Sequence, residues 1–94
     1  MPRVWIPPLL RDLTGDCESL TVSGVSVSEL IEALDRQFPG VKARLCPGGE
    51  LRPGLAVVID SEVARLGLLE RVGPTSEVHF LPAIAGGSFH VMEM

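Results

Sequence analysis

Between residues 26 and 40 the large apolar side chains recur every three or four positions, as Val27, Leu30, Ile31, Leu34 and Phe38, while Glu29, Glu32, Asp35 and Arg36 lie largely off that stripe. The spacing predicts an amphipathic helix that buries one face. Its start is spelled by Ser26-Val27-Ser28-Glu29, a capping box in which the Ser26 hydroxyl and the Glu29 carboxylate satisfy free amides of the first turn. Phe38-Pro39-Gly40 ends it. Fully burying each large side chain of that face contributes roughly 1.5 to 3 kcal/mol, so the stripe is the main tie between helix and core.

Elsewhere the pattern is that of strands. Val4-Trp5-Ile6, closed by Pro7-Pro8, and Leu20-Thr21-Val22, closed by Gly24, are β-prone runs that predict a hairpin. Their connection, residues 8–18, is long, with Thr14-Gly15-Asp16 as a turn signal. Residues 41–54 read as loop broken by Pro47-Gly48-Gly49 and Arg52-Pro53-Gly54, with a helical turn available at Val41–Leu45. Leu55-Ala56-Val57-Val58-Ile59 is apolar throughout and predicts a strand buried on both faces, followed by a tight turn at Asp60-Ser61-Glu62. A short apolar piece at 66–69 and a turn at Gly73-Pro74-Thr75 precede a last strand, Glu77-Val78-His79-Phe80-Leu81. Strand, strand, helix, strand, short piece, strand predicts an α+β chain with one main helix packed on a mixed sheet of four or five strands, the β-grasp or ubiquitin-like arrangement. The long connection through the helix lets the first and last strands run parallel, which a tight hairpin cannot do.

Composition narrows the function. A 94-residue chain with 46% hydrophobic content is one small folding unit with little room for a deep cofactor pocket. The net charge of −4 argues against nucleic acid, whose phosphates demand clustered basic side chains. Two cysteines, Cys17 and Cys46, lack any metal-ligand or disulfide-scaffold spacing and are expected to be reduced thiols. No apolar run approaches the roughly 18 residues of a membrane span, and the N-terminus fits neither a signal nor a transit peptide, so the expected compartment is the cytoplasm.

Beyond the last strand the sequence thins to Pro82-Ala83-Ile84-Ala85-Gly86-Gly87 before Ser88-Phe89-His90-Val91-Met92-Glu93-Met94. A segment poor in side chains and ending in two glycines can enter a narrow catalytic site and let foreign groups approach its main chain. With Ile6-Pro7, Leu9-Leu10-Arg11 and Thr14-Gly15 at the front, Phe38-Pro39-Gly40 in the middle, and Val78-His79-Phe80-Leu81-Pro82-Ala83-Ile84-Ala85-Gly86-Gly87 at the back, the chain resembles the MoaD/ThiS/CysO-type sulfur carriers. These are the bacterial carriers of molybdopterin, thiamin and cysteine biosynthesis. The back block is nearest the cysteine-biosynthesis branch, and the molybdopterin branch ends in a similar way.

The resemblance implies a carrier rather than an enzyme, with no bound cofactor or metal and no catalytic residue. It implies that an ATP-dependent adenylating enzyme activates the carboxyl of Gly87, that sulfur then replaces AMP, and that a sulfur-accepting synthase takes the thiocarboxylate. Pro82, Ala83, Ile84, Ala85 and Gly86 would form the thread that enters the partner. In this chain Gly87 is followed by Ser88. The resemblance therefore divides the chain into a carrier domain, 1–87, and an extension, 88–94, removed between Gly87 and Ser88 by a JAMM-type peptidase. Two other classes stay open: a modifier joined to target lysines through Gly87, and a β-grasp interaction module that conjugates to nothing. Lys42 is the sole lysine, which would confine self-linked chains to one side chain. His79 and His90 have no spaced partner for metal or nucleophile chemistry. Trp5 reads as a packing residue, with an exposed patch around Leu9 and Leu10 as its alternative use.

Overall fold

A computed structural model describes residues 1–82 of the chain. Five strands form one mixed sheet in the order β2-β1-β5-β3-β4, with β1 at Arg3–Trp5, β2 at Ser19–Thr21, β3 at Leu55–Ile59, β4 at Glu62–Val63 and β5 at Glu77–Pro82. β1 and β2 form the expected antiparallel hairpin, with Val4 opposite Leu20. β1 and β5 run parallel, pairing Arg3 with Glu77, Val4 with Val78 and Trp5 with His79. β5 is thus the central strand, held on its other side by β3 in an antiparallel ladder that reaches from Ile59–Val78 to Leu55–Pro82.

The main helix, Val27–Gln37, buries Val27, Leu30, Ile31 and Leu34. Its N-terminus differs in one detail from the reciprocal box. The Glu29 N–H donates to Ser26 Oγ at 3.2 Å, but the Glu29 carboxylate accepts from the Val25 N–H at 3.0 Å, one residue before the cap. Phe38 lies just past the last turn, where it packs half-buried on the core. Asp35 accepts from the N–H groups of Gly40 and Lys42, which pins the turn into a second helix, Val41–Leu45. Together Val4, Leu10, Val57, Val78, Phe80 and the helical residues fill one core.

Two expectations are corrected. β3 is covered on one face only: Val57 is buried while Ala56 and Val58 are half-exposed, because their side of the sheet carries no layer. An unbroken apolar run cannot by itself distinguish a doubly covered strand from one whose outward positions are also apolar. The second correction concerns the exposed patch expected around Leu9 and Leu10. A 3₁₀ turn at Pro8–Leu10 leads into a helical turn at Arg11–Thr14, closed by Gly15 in the left-handed conformation (φ 67°). Leu10 is fully buried there and Leu9 packs against the core, so no exposed patch forms around them.

Asp60 and Ser61 both have positive φ (51° and 75°), the backbone of a two-residue hairpin between β3 and β4. Asp60 also caps β5. Its N–H donates to the Glu77 carbonyl (2.9 Å) and its carboxylate accepts from the Glu77 N–H (3.0 Å).

Candidate functional site

Strand β5 leads up to the segment that sequence reasoning assigned as the thread. Its alternation is strict: Val78 and Phe80 are buried, while Glu77, His79 and Leu81 point to the open face. Ladders on both flanks fix its direction. Pro82, first residue of the proposed thread, is the last residue of β5, exposed and paired with Leu55. Ala83, Ile84, Ala85, Gly86, Gly87 and Ser88, with the rest of 83–94, lie outside the described residues.

The open face of the sheet holds a feature that sequence reasoning missed. Trp5 stacks on His79 with ring centroids 5.5 Å apart and planes 4° from parallel, and the Trp5 indole N–H donates to Glu77 Oε1 at 3.0 Å. The parallel register that sets Trp5 beside His79 causes this, and the signal was present in the two strands' alternation once their pairing was known. Leu81, Val58, Ala56 and Val63 extend the apolar character of this face across β5, β3 and β4. Trp5 is therefore half-buried by its stacking rather than by the core.

Around Pro82 the sheet is incomplete. β1 pairs with β5 only as far as His79, because Pro7 and Pro8 lack the N–H groups that would continue the ladder and turn the chain away. The space left beside Phe80 and Pro82 is an apolar groove of about 480 Å³ lined by Pro7, Pro8, Leu9, Arg52, Pro53 and Leu55, among others.

The thiols and the lysine lie elsewhere. Cys17 is half-buried and its thiol donates to the Ser19 carbonyl at 3.2 Å. Cys46 is buried beyond Val41–Leu45, and burial raises its thiol pKa above the ordinary value, with Lys42 opposing. Lys42 is exposed and ion-paired with Glu32, which raises the ammonium pKa. Among the described residues no cluster of three or more His, Cys, Asp or Glu could hold a metal ion, and no helix is long and apolar enough to cross a membrane.

Two terminal strands parallel at the centre of a mixed sheet, a single long helix across one face, and a last strand aimed out of the body define a β-grasp, ubiquitin-like protein. The chain belongs to the ThiS family, which it matches over residues 4–87. It is 32% identical over 89 residues to the sulfur carrier protein CysO of Mycobacterium tuberculosis, covering 89% of this chain and 96% of that one. Among solved structures it resembles the Amycolatopsis orientalis BexX/CysO complex with 34% identity and a TM-score of 0.82, over 93% of this chain and 100% of that chain. Small archaeal modifier protein 1 of Methanosarcina acetivorans shares the fold, with a TM-score of 0.73 at 24% identity over 92% of this chain and 95% of that one.

Proposed function

We propose that this chain is a sulfur carrier whose working end is Gly87. Removal of 88–94 by a JAMM-type peptidase would free the Gly87 carboxyl. A carboxylate oxygen then attacks the α-phosphorus of ATP in the partner adenylating enzyme and pyrophosphate leaves. A sulfur nucleophile next attacks the acyl carbon and expels AMP, leaving a thiocarboxylate for a biosynthetic acceptor of the cysteine or molybdopterin type. The observation that carries this reading is the match to the ThiS family, which ends at Gly87 itself. The sulfur-carrier name borne by its relative from M. tuberculosis supports it, and so does the direction of β5. The A. orientalis relative was crystallised in complex with BexX, which fits a protein that works by docking to others.

An acyl adenylate hydrolyses readily, so it must form inside a closed site, and a side-chain-poor thread is what such a site admits. This chain supplies the thread and its rigid base; ATP is consumed by the partner. Cytoplasmic location and the absence of a nucleic-acid or membrane partner belong to the same proposal. The experiment is an intact-mass measurement on full-length and Gly87-terminated protein after incubation with the cognate adenylating enzyme, ATP and a sulfide source. Exchange of one oxygen for sulfur in the Gly87-terminated protein alone is expected. Sulfur gain with 88–94 attached, or no gain by either form, overturns the proposal. Covalent attachment to other proteins in extracts would favour the modifier class instead.

A further inference from the structure

An acyl group activated at Gly87 is open to any nucleophile, and the chain offers few. Of its eight Lys and Arg residues only Lys42 is a lysine, and a guanidinium stays protonated and does not compete for acyl groups. Cys46 is buried, and Cys17 is half-buried with its thiol donating to the Ser19 carbonyl at 3.2 Å. His79 is stacked against Trp5. Among the described side chains that leaves the exposed amine of Lys42. Two carboxylates of the main helix, three residues apart and so on one side of it, meet the start of the second helix. Asp35 accepts from the Lys42 N–H at 3.0 Å and fixes its backbone, while Glu32 pairs with the Lys42 ammonium. The hydrogen bond and charge of Glu32, and after them Asp35 and Cys46, raise the ammonium pKa above its ordinary 10.5, with partial desolvation opposing. Only the neutral amine attacks an acyl carbon, and at a pH below the pKa each unit of rise removes about nine-tenths of it.

We propose that Lys42 is a masked acyl acceptor: its ion pair with Glu32 keeps one activated chain from linking to another through a Gly87–Lys42 amide. The proposal rests on activation at Gly87, as in the carrier reading, and adds what reserves the activated end for sulfur. Unmasked, the Lys42 Nζ lone pair attacks the acyl carbon of a second copy. The C–N bond forms, the bond to the leaving group (AMP or a thiolate) breaks, and a proton passes from the nitrogen to water. The pair lies on the surface, so it slows this step rather than abolishing it, and dissolved salt weakens it. A modifier that builds chains on itself needs the opposite arrangement, a lysine free of such a carboxylate.

Two measurements, neither using the partner enzyme, test the mask. The first treats full-length protein with N-hydroxysuccinimidyl acetate at about pH 8, where the amine is mostly protonated, and follows acetylation of Lys42 by peptide mass spectrometry. Glu32→Gln should acetylate about two- to fivefold faster than the parent. Glu62→Gln, which makes the same change in net charge on β4, should keep the parent's rate. Added salt should speed the parent and leave Glu32→Gln nearly unchanged. The second measurement converts Gly87-terminated protein to its Gly87 thioester and incubates it alone. The parent should give mainly hydrolysed monomer, Glu32→Gln about two- to fivefold more amide-linked dimer joined at Lys42, and Lys42→Arg almost no dimer. Thermal melting of each variant close to the parent confirms that reactivity, not folding, is read. Equal rates at Lys42 in the parent and Glu32→Gln, an equal gain with Glu62→Gln, or dimers joined mainly at the N-terminal amine overturn the mask while the carrier reading stands. A parent chain that its adenylating enzyme does not activate removes the carrier reading and this proposal with it.

Discussion

Phe80 and Leu81 are neighbours in β5 on opposite faces of the sheet, and truncating each to alanine should give sharply different costs. Phe80 is 2% exposed and belongs to the core, whereas Leu81 is 45% exposed on the open face. Phe80→Ala removes a ring from a close-packed interior that relaxes only in part, a loss of about 3 to 5 kcal/mol. Leu81→Ala leaves no cavity. A fully buried leucine contributes roughly 1.5 to 3 kcal/mol, and with nearly half its surface already in water the expected loss is about 1 kcal/mol. Against a total stability of about 5 to 15 kcal/mol the first loss is severe and the second minor. In a domain this size each kcal/mol moves Tm by about 4 to 8 °C, so Phe80→Ala should melt at least about 12 °C below the parent. Urea denaturation of residues 1–87, with unfolding slopes shown to be equal, measures both values. A Leu81→Ala loss as large as that of Phe80→Ala would mean that β5 is set one residue out of register. The open face and the groove would then be wrongly assigned, since a single-residue slip exchanges the two faces of a strand.

Gly24→Ala should cost roughly 1 to 3 kcal/mol, because a Cβ there would lie 2.9 Å from Leu30 Cδ2 and 3.2 Å from the Leu30 backbone nitrogen; a urea midpoint equal to the parent's counts against this packing at the helix start. Ser26→Ala should lose about 1 kcal/mol through the missing acceptor for the Glu29 N–H, with Ser26→Asp near the parent; equal loss in both variants would show that the side-chain cap is not the cause. Burial raises the Cys46 pKa above its ordinary value of 9.0, so as pH climbs the unfolded chain sheds the thiol proton first. The stability tied to the neutral thiol is whole below that value and is lost above it. Tm should therefore fall further between about pH 8 and about pH 10.5 in the parent than in Cys46→Ala, and parallel curves would refute a buried neutral thiol.

The main helix was readable to within a residue because its signals are local: a serine cap, a 3.6-residue stripe and Phe38-Pro39-Gly40 each act over one turn. The parallel placement of the first and last strands was also legible, since the order of elements leaves few topologies for one helix on one sheet. The family followed from the terminal block. What escaped depends on contacts distant in sequence. Nothing near Trp5 announces His79, which is brought beside it only by the β1–β5 register. The groove exists because Pro7 and Pro8 end one ladder while β3 carries the other on to Pro82. The two-residue strand Glu62–Val63 is too short to show a period, although the turn before it was recognised.

The central place of β5 also has a mechanical consequence. A partner that draws in the thread pulls on the chain where β5 ends, along the strand axis. β5 is flanked on both sides, by β1 running parallel and by β3 running antiparallel. A load along that axis shears both ladders at once, so their hydrogen bonds resist together and cannot be opened one by one, as they would be in a strand peeled from an edge. If the chain is a carrier as proposed, the body would serve as a stopper that stays folded at the mouth of the partner's channel, and the length of the segment after Pro82 would act as a molecular ruler for the depth at which chemistry occurs.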